Sequence, residues 1–213
     1  MNGAIWTLMY DIDETNRDDY LDWFHTEHIP EKLSREGYEW AGHYQAQAPA
    51  STRYVAFFGG ASTRVFFDPS PAQLKQGQDD LTRKMIGMRQ NPSAFVFTEE
   101  WRAQGPALEQ KPGNAIEFLC CNTPGADEDF NAFLAQEDMP AFETAIGSVR
   151  GRKLLSVTGP AKHGVLYQFT TAEALNAFQS ARPQSDWRHR VESACEPVAG
   201  TPMAANRIWP LPA

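Results

Sequence analysis

Thr26-Glu27-His28-Ile29-Pro30 decides the fold, because Gln136-Glu137-Asp138-Met139-Pro140 repeats its outline about 110 residues further on. The correspondence extends both ways. Tyr20, Trp23 and Phe24 align with Phe130, Phe133 and Leu134, Gly37 with Gly147, and Val55 with Val165. Ala4-Ile5 matches Ala115-Ile116 with one residue of slippage, and Trp101 matches Trp209 near the ends of the two copies. A period this long indicates two tandem copies of one small domain rather than a solenoid. It also supplies an internal control: what both copies keep serves the fold, and what one copy keeps is a candidate for function. His28 (Asp138 in the second copy) and His25 (Ala135) pass that test, and Glu27 does not.

Residues 4–10 read as a strand, and Asp13, Thr15 or Asn16 can cap the helix that follows. That helix runs to about His28, where Pro30 ends or kinks it, and a short turn over 31–35 is stopped by Gly37. Strands are predicted over 40–45 and 53–58, with a turn at Pro49-Ala50-Ser51 between them and Gly59-Gly60 closing the second. One helical turn is expected over 62–67. Leu74, Leu81, Met85 and Met88 predict a single helix over 72–90, and a fourth strand follows over 94–101. The order β-α-β-β-α-β is the ferredoxin-like pattern. Residues 104–113, rich in proline and glycine, read as a linker between domains 1–104 and 113–213. The second copy predicts strands over 115–121, 151–157, 164–169 and 204–209, with helices over 127–138, 172–180 and 187–195. Val55-Ala56-Phe57-Phe58, Phe95-Val96-Phe97 and residues 116–121 are apolar on both sides, so both faces of the sheet need cover. Two sheets packed face to face would supply it.

The 213 residues suffice for a sizeable core. A net charge of −8 and scattered Lys and Arg argue against nucleic acid and against an anionic membrane surface. No apolar run approaches the ~20 residues of a spanning helix, and no signal peptide is visible. The three cysteines form no disulfide framework, which points to the cytoplasm.

The run Asp22-Trp23-Phe24-His25-Thr26-Glu27-His28-Ile29-Pro30-Glu31-Lys32-Leu33, followed by Gly37-Tyr38, resembles the EthD-like group of the dimeric α/β-barrel superfamily. The resemblance implies an α+β fold in which two ferredoxin-like units pair their sheets into a barrel, here as a tandem form within one chain. It admits a homodimer of such pseudo-dimers. The superfamily includes cyclases, isomerases, cofactor-free monooxygenases and haem enzymes, so the resemblance speaks to fold more than to reaction. The second copy keeps Glu137 and Pro140 without a histidine, which assigns the site to the N-terminal half.

On a regular helical wheel Tyr20, Trp23, Phe24, Glu27 and His28 share one face, with Glu27 mid-stripe, His28 at its edge and His25 turned to solvent. A buried, unpaired carboxylate costs several kcal/mol, so Glu27 either ties the helix end to backbone N–H groups or takes part in chemistry. His28 suits a general base or acid, with a satisfied structural histidine or a metal ligand as the alternatives. His43, on a strand, can face His28 across a cleft or point into the barrel seam. Tyr10 and Tyr44 are candidate hydrogen-bond donors, and Tyr20, Trp23 and Phe24 candidate pocket walls. His163 and His189 read as surface. Glycine-rich phosphate loops, Cys-x-x-Cys and Gly-x-Ser-x-Gly are missing, and no metal is expected.

The expectation is therefore an enzyme without an organic cofactor, transferring a proton next to the carbonyl of a small apolar or aromatic compound, as a cyclase, isomerase or lyase does. His28 is the base, Glu27 orients it, and His43 or a tyrosine donates to the developing enolate. A non-catalytic small-ligand protein and a haem-binding relative are the alternatives.

Overall fold

The computed structural model describes residues 3–48, 53–108 and 112–212. The turn predicted at Pro49-Ala50-Ser51 and the middle of the predicted linker lie outside these. The chain divides into two compact units. The first holds Met1–Thr98, Val157–Gly159 and Ile208–Ala213, and the second Glu99–Ser156 and Pro160–Arg207.

In the first unit, β1 (Ala4–Asp11) leads into α1 (Glu14–Trp23), a π-helical turn (Phe24–His28) and α2 (Ile29–Leu33). Next come β2 (Tyr38–Ala46), β3 (Arg53–Gly60), a 3-10 turn (Thr63–Phe66), α3 (Pro71–Gln76), α4 (Asp80–Gly87) and β4 (Gln90–Gln104). β1 lies between β3 and β4, and β2 pairs with β3, all antiparallel. In the second, β5 (Ala115–Asn122), α5 (Asp127–Phe133), a π turn (Leu134–Asp138) and α6 (Met139–Thr144) precede β6 (Ser148–Thr158) and β7 (His163–Phe169). Then α7 (Ala172–Ala181), α8 (Asp186–Ala194), a short β8 (Glu196–Pro197) and β9 (Met203–Trp209) follow. There β5 pairs with β7 and β9, and β6 with β7. Within the first unit the strand order is β4-β1-β3-β2, and within the second it is β6-β7-β5-β9 with β8 added on β5. Val55, Ala56, Phe57 and Phe58 are each buried, as are Phe95 and Phe97, so these strands are shielded on both faces as their composition requires.

Three expectations need correction. The segment around Pro30 is one continuous helical stretch. A proline ring clashes with the carbonyl four residues earlier in a regular α-helix, and widening the preceding turn relieves that clash. Pro140 follows a π turn in the same way. The helix expected over 72–90 is two, α3 and α4. Ser70 caps α3 through a reciprocal capping box and Asp79 caps α4 by accepting from the Thr82 N–H, so local capping overrides the apolar period. β4 starts four residues earlier than expected and carries Pro92 within it, entered through Asn91 at φ +47°. Gly37, at φ +86°, makes the turn into β2, and a side chain there would run into Val65.

Candidate functional site

Helix phase sets the site. A π turn inserts one residue into the helix, so every position beyond it lags by about 100° relative to an ideal α-helix. Glu27 takes the outward phase expected of Thr26, and His28 takes the core phase expected of Glu27. Glu27 is exposed, whereas His28 is 8% exposed and Ile29 fully buried. The placement of Glu27 in mid-stripe is thereby corrected, and no hydrogen bond joins it to His28.

His28 lies over Phe24, with ring centroids 5.2 Å apart, and beside Trp23 at 4.7 Å. Its free edge opens into a cavity of about 490 Å³ walled by Trp23, Glu27, Glu31, Lys32, Arg35 and the α3–α4 segment. Burial, with the positive charges of Arg89, Lys32 and Arg35, pushes the His28 pKa down to about 2. His28 is therefore a neutral imidazole at pH 7. Glu31 bridges the two cations, at 3.1 Å from Lys32 Nζ and 2.7 Å from Arg35 Nε. The cavity thus carries balanced charge and no concentrated positive field.

A second constellation lies inward. His43 is fully buried on β2 opposite Ala56. Its Nδ1 is 2.8 Å from His25 Nε2, and its Nε2 is 2.8 Å from the Tyr10 hydroxyl. The Tyr10 and Tyr20 rings meet edge to face, with centroids 5.4 Å apart. The Tyr20 hydroxyl accepts from Arg89 Nε at 2.7 Å, and the guanidinium covers the Tyr10, Tyr20 and Phe24 rings at 5.2, 5.6 and 5.6 Å. Burial holds the His43 pKa well below its usual value and brings His25 down to about 4, while raising both tyrosines.

This arrangement departs from the sequence expectation in several ways. The imidazole facing His43 is that of His25, not His28, and His25 is half-buried where a solvent-facing side chain was expected. Tyr10, Tyr20, Trp23, Phe24 and His43 do gather around the π turn. Tyr44 does not, because adjacent strand residues face opposite sides; its ring meets Phe57 instead. Arg89 escaped sequence reasoning altogether: it stands 69 residues from its Tyr20 partner, and a single arginine after a helix carries no spacing signal.

In the second unit the segment takes another course. Asp138 is buried and accepts from the Tyr167 hydroxyl at 2.7 Å and from Arg188 Nη2 at 2.6 Å. His163, expected at the surface, is 1% exposed and held between Lys153 Nζ at 3.0 Å and Asp127 Oδ1 at 2.8 Å. Only His189 is exposed as expected.

No family model matches the sequence, and no curated protein does. Solved structures do. A candidate monooxygenase of Fusobacterium nucleatum superposes with a TM-score of 0.68 at 8% identity, over 97% of this chain and 93% of its own. An anthrone oxidase-like protein gives 0.63 at 12% identity, over 97% and 90%. A candidate chlorite dismutase gives 0.61 at 14% identity, over 97% and 94%. The fold is that of the dimeric α/β-barrel proteins. Identities this low carry the fold alone.

Haem, raised by the resemblance, finds no fitting axial ligand in His28, His43 or His163. Axial ligation needs a histidine with a free nitrogen facing an apolar slot. Both ring nitrogens of His43 and of His163 are engaged. The cavity beside His28 is walled by charged side chains. Among the described residues no cluster of His, Cys, Asp and Glu has the makings of a metal site.

Proposed function

We propose that this chain is a small-molecule enzyme that moves a proton next to a carbonyl without an organic cofactor, at a site in its N-terminal half. The observation that carries the reading is His28: an imidazole held neutral, with one edge open to a cavity large enough for a modest ligand. A group that protonates only near pH 2 is a poor base, so the roles differ from those expected on sequence. His28 N–H donates to the substrate carbonyl oxygen as a neutral electrophile, and Glu27, on the same cavity wall, takes the α-proton. Lys32 and Arg35 offset the developing enolate charge, and Trp23 offers an apolar wall to an apolar or aromatic substrate. The barrel relatives described as monooxygenase and anthrone oxidase-like are consistent with small-molecule chemistry.

The same reading takes the halves as tandem ferredoxin-like units of EthD-like type, supported by the recurrence of strand order, π turn and Glu-x-x-Pro. It keeps the domains 1–104 and 113–213, a cytoplasmic setting consistent with three free thiols, and a homodimer of pseudo-dimers.

The test is exchange of α-hydrogens for deuterium in D2O, followed by NMR on a panel of small aryl ketones and β-dicarbonyls. The expected result is accelerated exchange that falls about 100-fold in His28→Gln and in Glu27→Gln, consistent with typical acid–base contributions. Melting temperatures should hold within a few degrees. Saturable binding without exchange would support a non-catalytic ligand carrier instead, a reading favoured by the weak basicity of His28. Neither exchange nor binding sinks both.

A further inference from the structure

A second cavity, of about 380 Å³, adjoins the one beside His28. Arg35, Pro69 and Leu74 wall both. Local structure sets the new walls. Gly37, at φ +86°, turns the chain so that the Tyr38 N–H donates to the Arg35 carbonyl at 3.3 Å. Ser70 caps α3, and the Leu74 N–H donates to its carbonyl at 3.0 Å, which carries Leu74 one turn into the helix. Tyr38, Val65, Pro69 and Leu74 make the second cavity chiefly apolar. The Tyr38 ring stands edge-on to Phe66, with centroids 5.2 Å apart. Arg35 stands at the junction. Glu31 Oε1 holds its Nε at 2.7 Å and its Nη2 at 2.5 Å, so the guanidinium is oriented. Arg35 Nη1 is left without a protein partner among the described residues, and it can only donate.

We propose that the two cavities form one elongated site for an uncharged ligand made of two apolar segments joined through a carbonyl or ether oxygen. The proposal deepens the reading above and rests on it for the head of the ligand, which lies beside His28. Trp23 and His28 face the first segment, and Tyr38, Val65 and Leu74 enclose the second. Arg35 Nη1–H donates to the linking oxygen. A ligand that spans both cavities covers apolar wall that a single small ring leaves wet, and the covered area adds to its affinity. Charge selects against an acidic ligand. Around the pair of cavities Glu27, Glu31, Glu36, Asp68 and Asp79 outnumber the lining cations Lys32 and Arg35, and Arg64, 3.4 Å from Asp68, stands outside the wall.

The experiment uses the whole chain and 4-acetylbenzophenone, a neutral two-ring ketone whose linking carbonyl inserts into nearby C–H bonds under near-ultraviolet light. Mass spectrometry of the irradiated, unaltered protein should place the label on Val65, Pro69 or Leu74. Calorimetry should find this ketone bound about tenfold more tightly than acetophenone, which fills the first cavity alone. It should also bind about tenfold more tightly than 4-benzylacetophenone, which lacks the linking oxygen, and than the anionic 4-benzoylbenzoate. Val65→Trp, which fills the second cavity, should abolish the advantage over acetophenone and leave acetophenone binding unchanged. Label confined to other parts of the chain overturns the proposal, whether or not the variant folds. So does equal binding of the ketone and any one of the three comparison compounds. Label at Val65, Pro69 or Leu74 without accelerated α-hydrogen exchange upholds the elongated site and sinks the proton-transfer chemistry alone; exchange with label elsewhere does the reverse.

Discussion

Residue 28 shows how burial rewrites a side chain. Histidine is usually chosen for titrating near neutrality, yet His28 and His43 are held neutral by desolvation and neighbouring cations. The consequence for stability has a definite sign. Both folded-state pKa values lie below the unfolded value near 6.5, so between the two the unfolded chain binds more protons. Stability therefore falls as pH drops below about 6.5 and is indifferent to these groups above it. At pH 5 each such histidine costs at most about 2 kcal/mol relative to pH 8. Denaturant titrations at the two pH values should show this loss, and His43→Gln should remove a share of it. A protein equally stable at both would contradict the burial of these rings. Truncating Phe24 is a separate residue-scale test. Its ring touches Tyr10, Tyr20, Trp23, His28 and His43, so Phe24→Ala should cost about 3–5 kcal/mol, read from the denaturation midpoint.

At the scale of the element, the π turn is the decisive device. Proline at position 30 and the widened turn before it are linked, because the ring excludes the regular α-helical carbonyl position. One extra residue per turn then exchanges the expected fates of Glu27 and His28. Replacing Pro30 with Ala should let the turn relax toward α geometry and rotate His28 away from its Phe24 contact. The expected reading is a His28 pKa that rises from about 2 toward its ordinary value, followed by NMR titration. An unchanged titration would show that packing on Trp23 and Phe24, rather than the proline, holds the turn open. Strand positions were legible from composition: apolar runs, glycine breaks and turn residues marked the eight longer strands to within about four residues. The wheel failed where the period itself changed, since an amphipathic pattern assumes a constant angle per residue.

At the scale of the molecule, the two halves use aligned positions differently. His28 faces a cavity, whereas Asp138 is locked by Tyr167 and Arg188 into a buried network. Asp138→Ala should strand the Arg188 charge and cost about 3–5 kcal/mol, while His28→Gln should cost under about 1 kcal/mol because its ring edge already reaches open space. Thermal denaturation of the two variants checks the contrast, and comparable losses would remove the case that one half was freed for function.

The sequence alone determined the α+β class, the order of strands and helices, the double occurrence of the Glu-x-x-Pro segment, and the aromatic and histidine residues that gather near it. These depend on local periodicity and composition, which a linear chain displays. Tertiary structure decided which histidines touch, which way the helix turns them, and that Arg89 bonds Tyr20 and covers the rings beside them. Those are matters of phase, burial and hydrogen bonding among residues up to 69 positions apart, and they exist only once the strands and helices have packed.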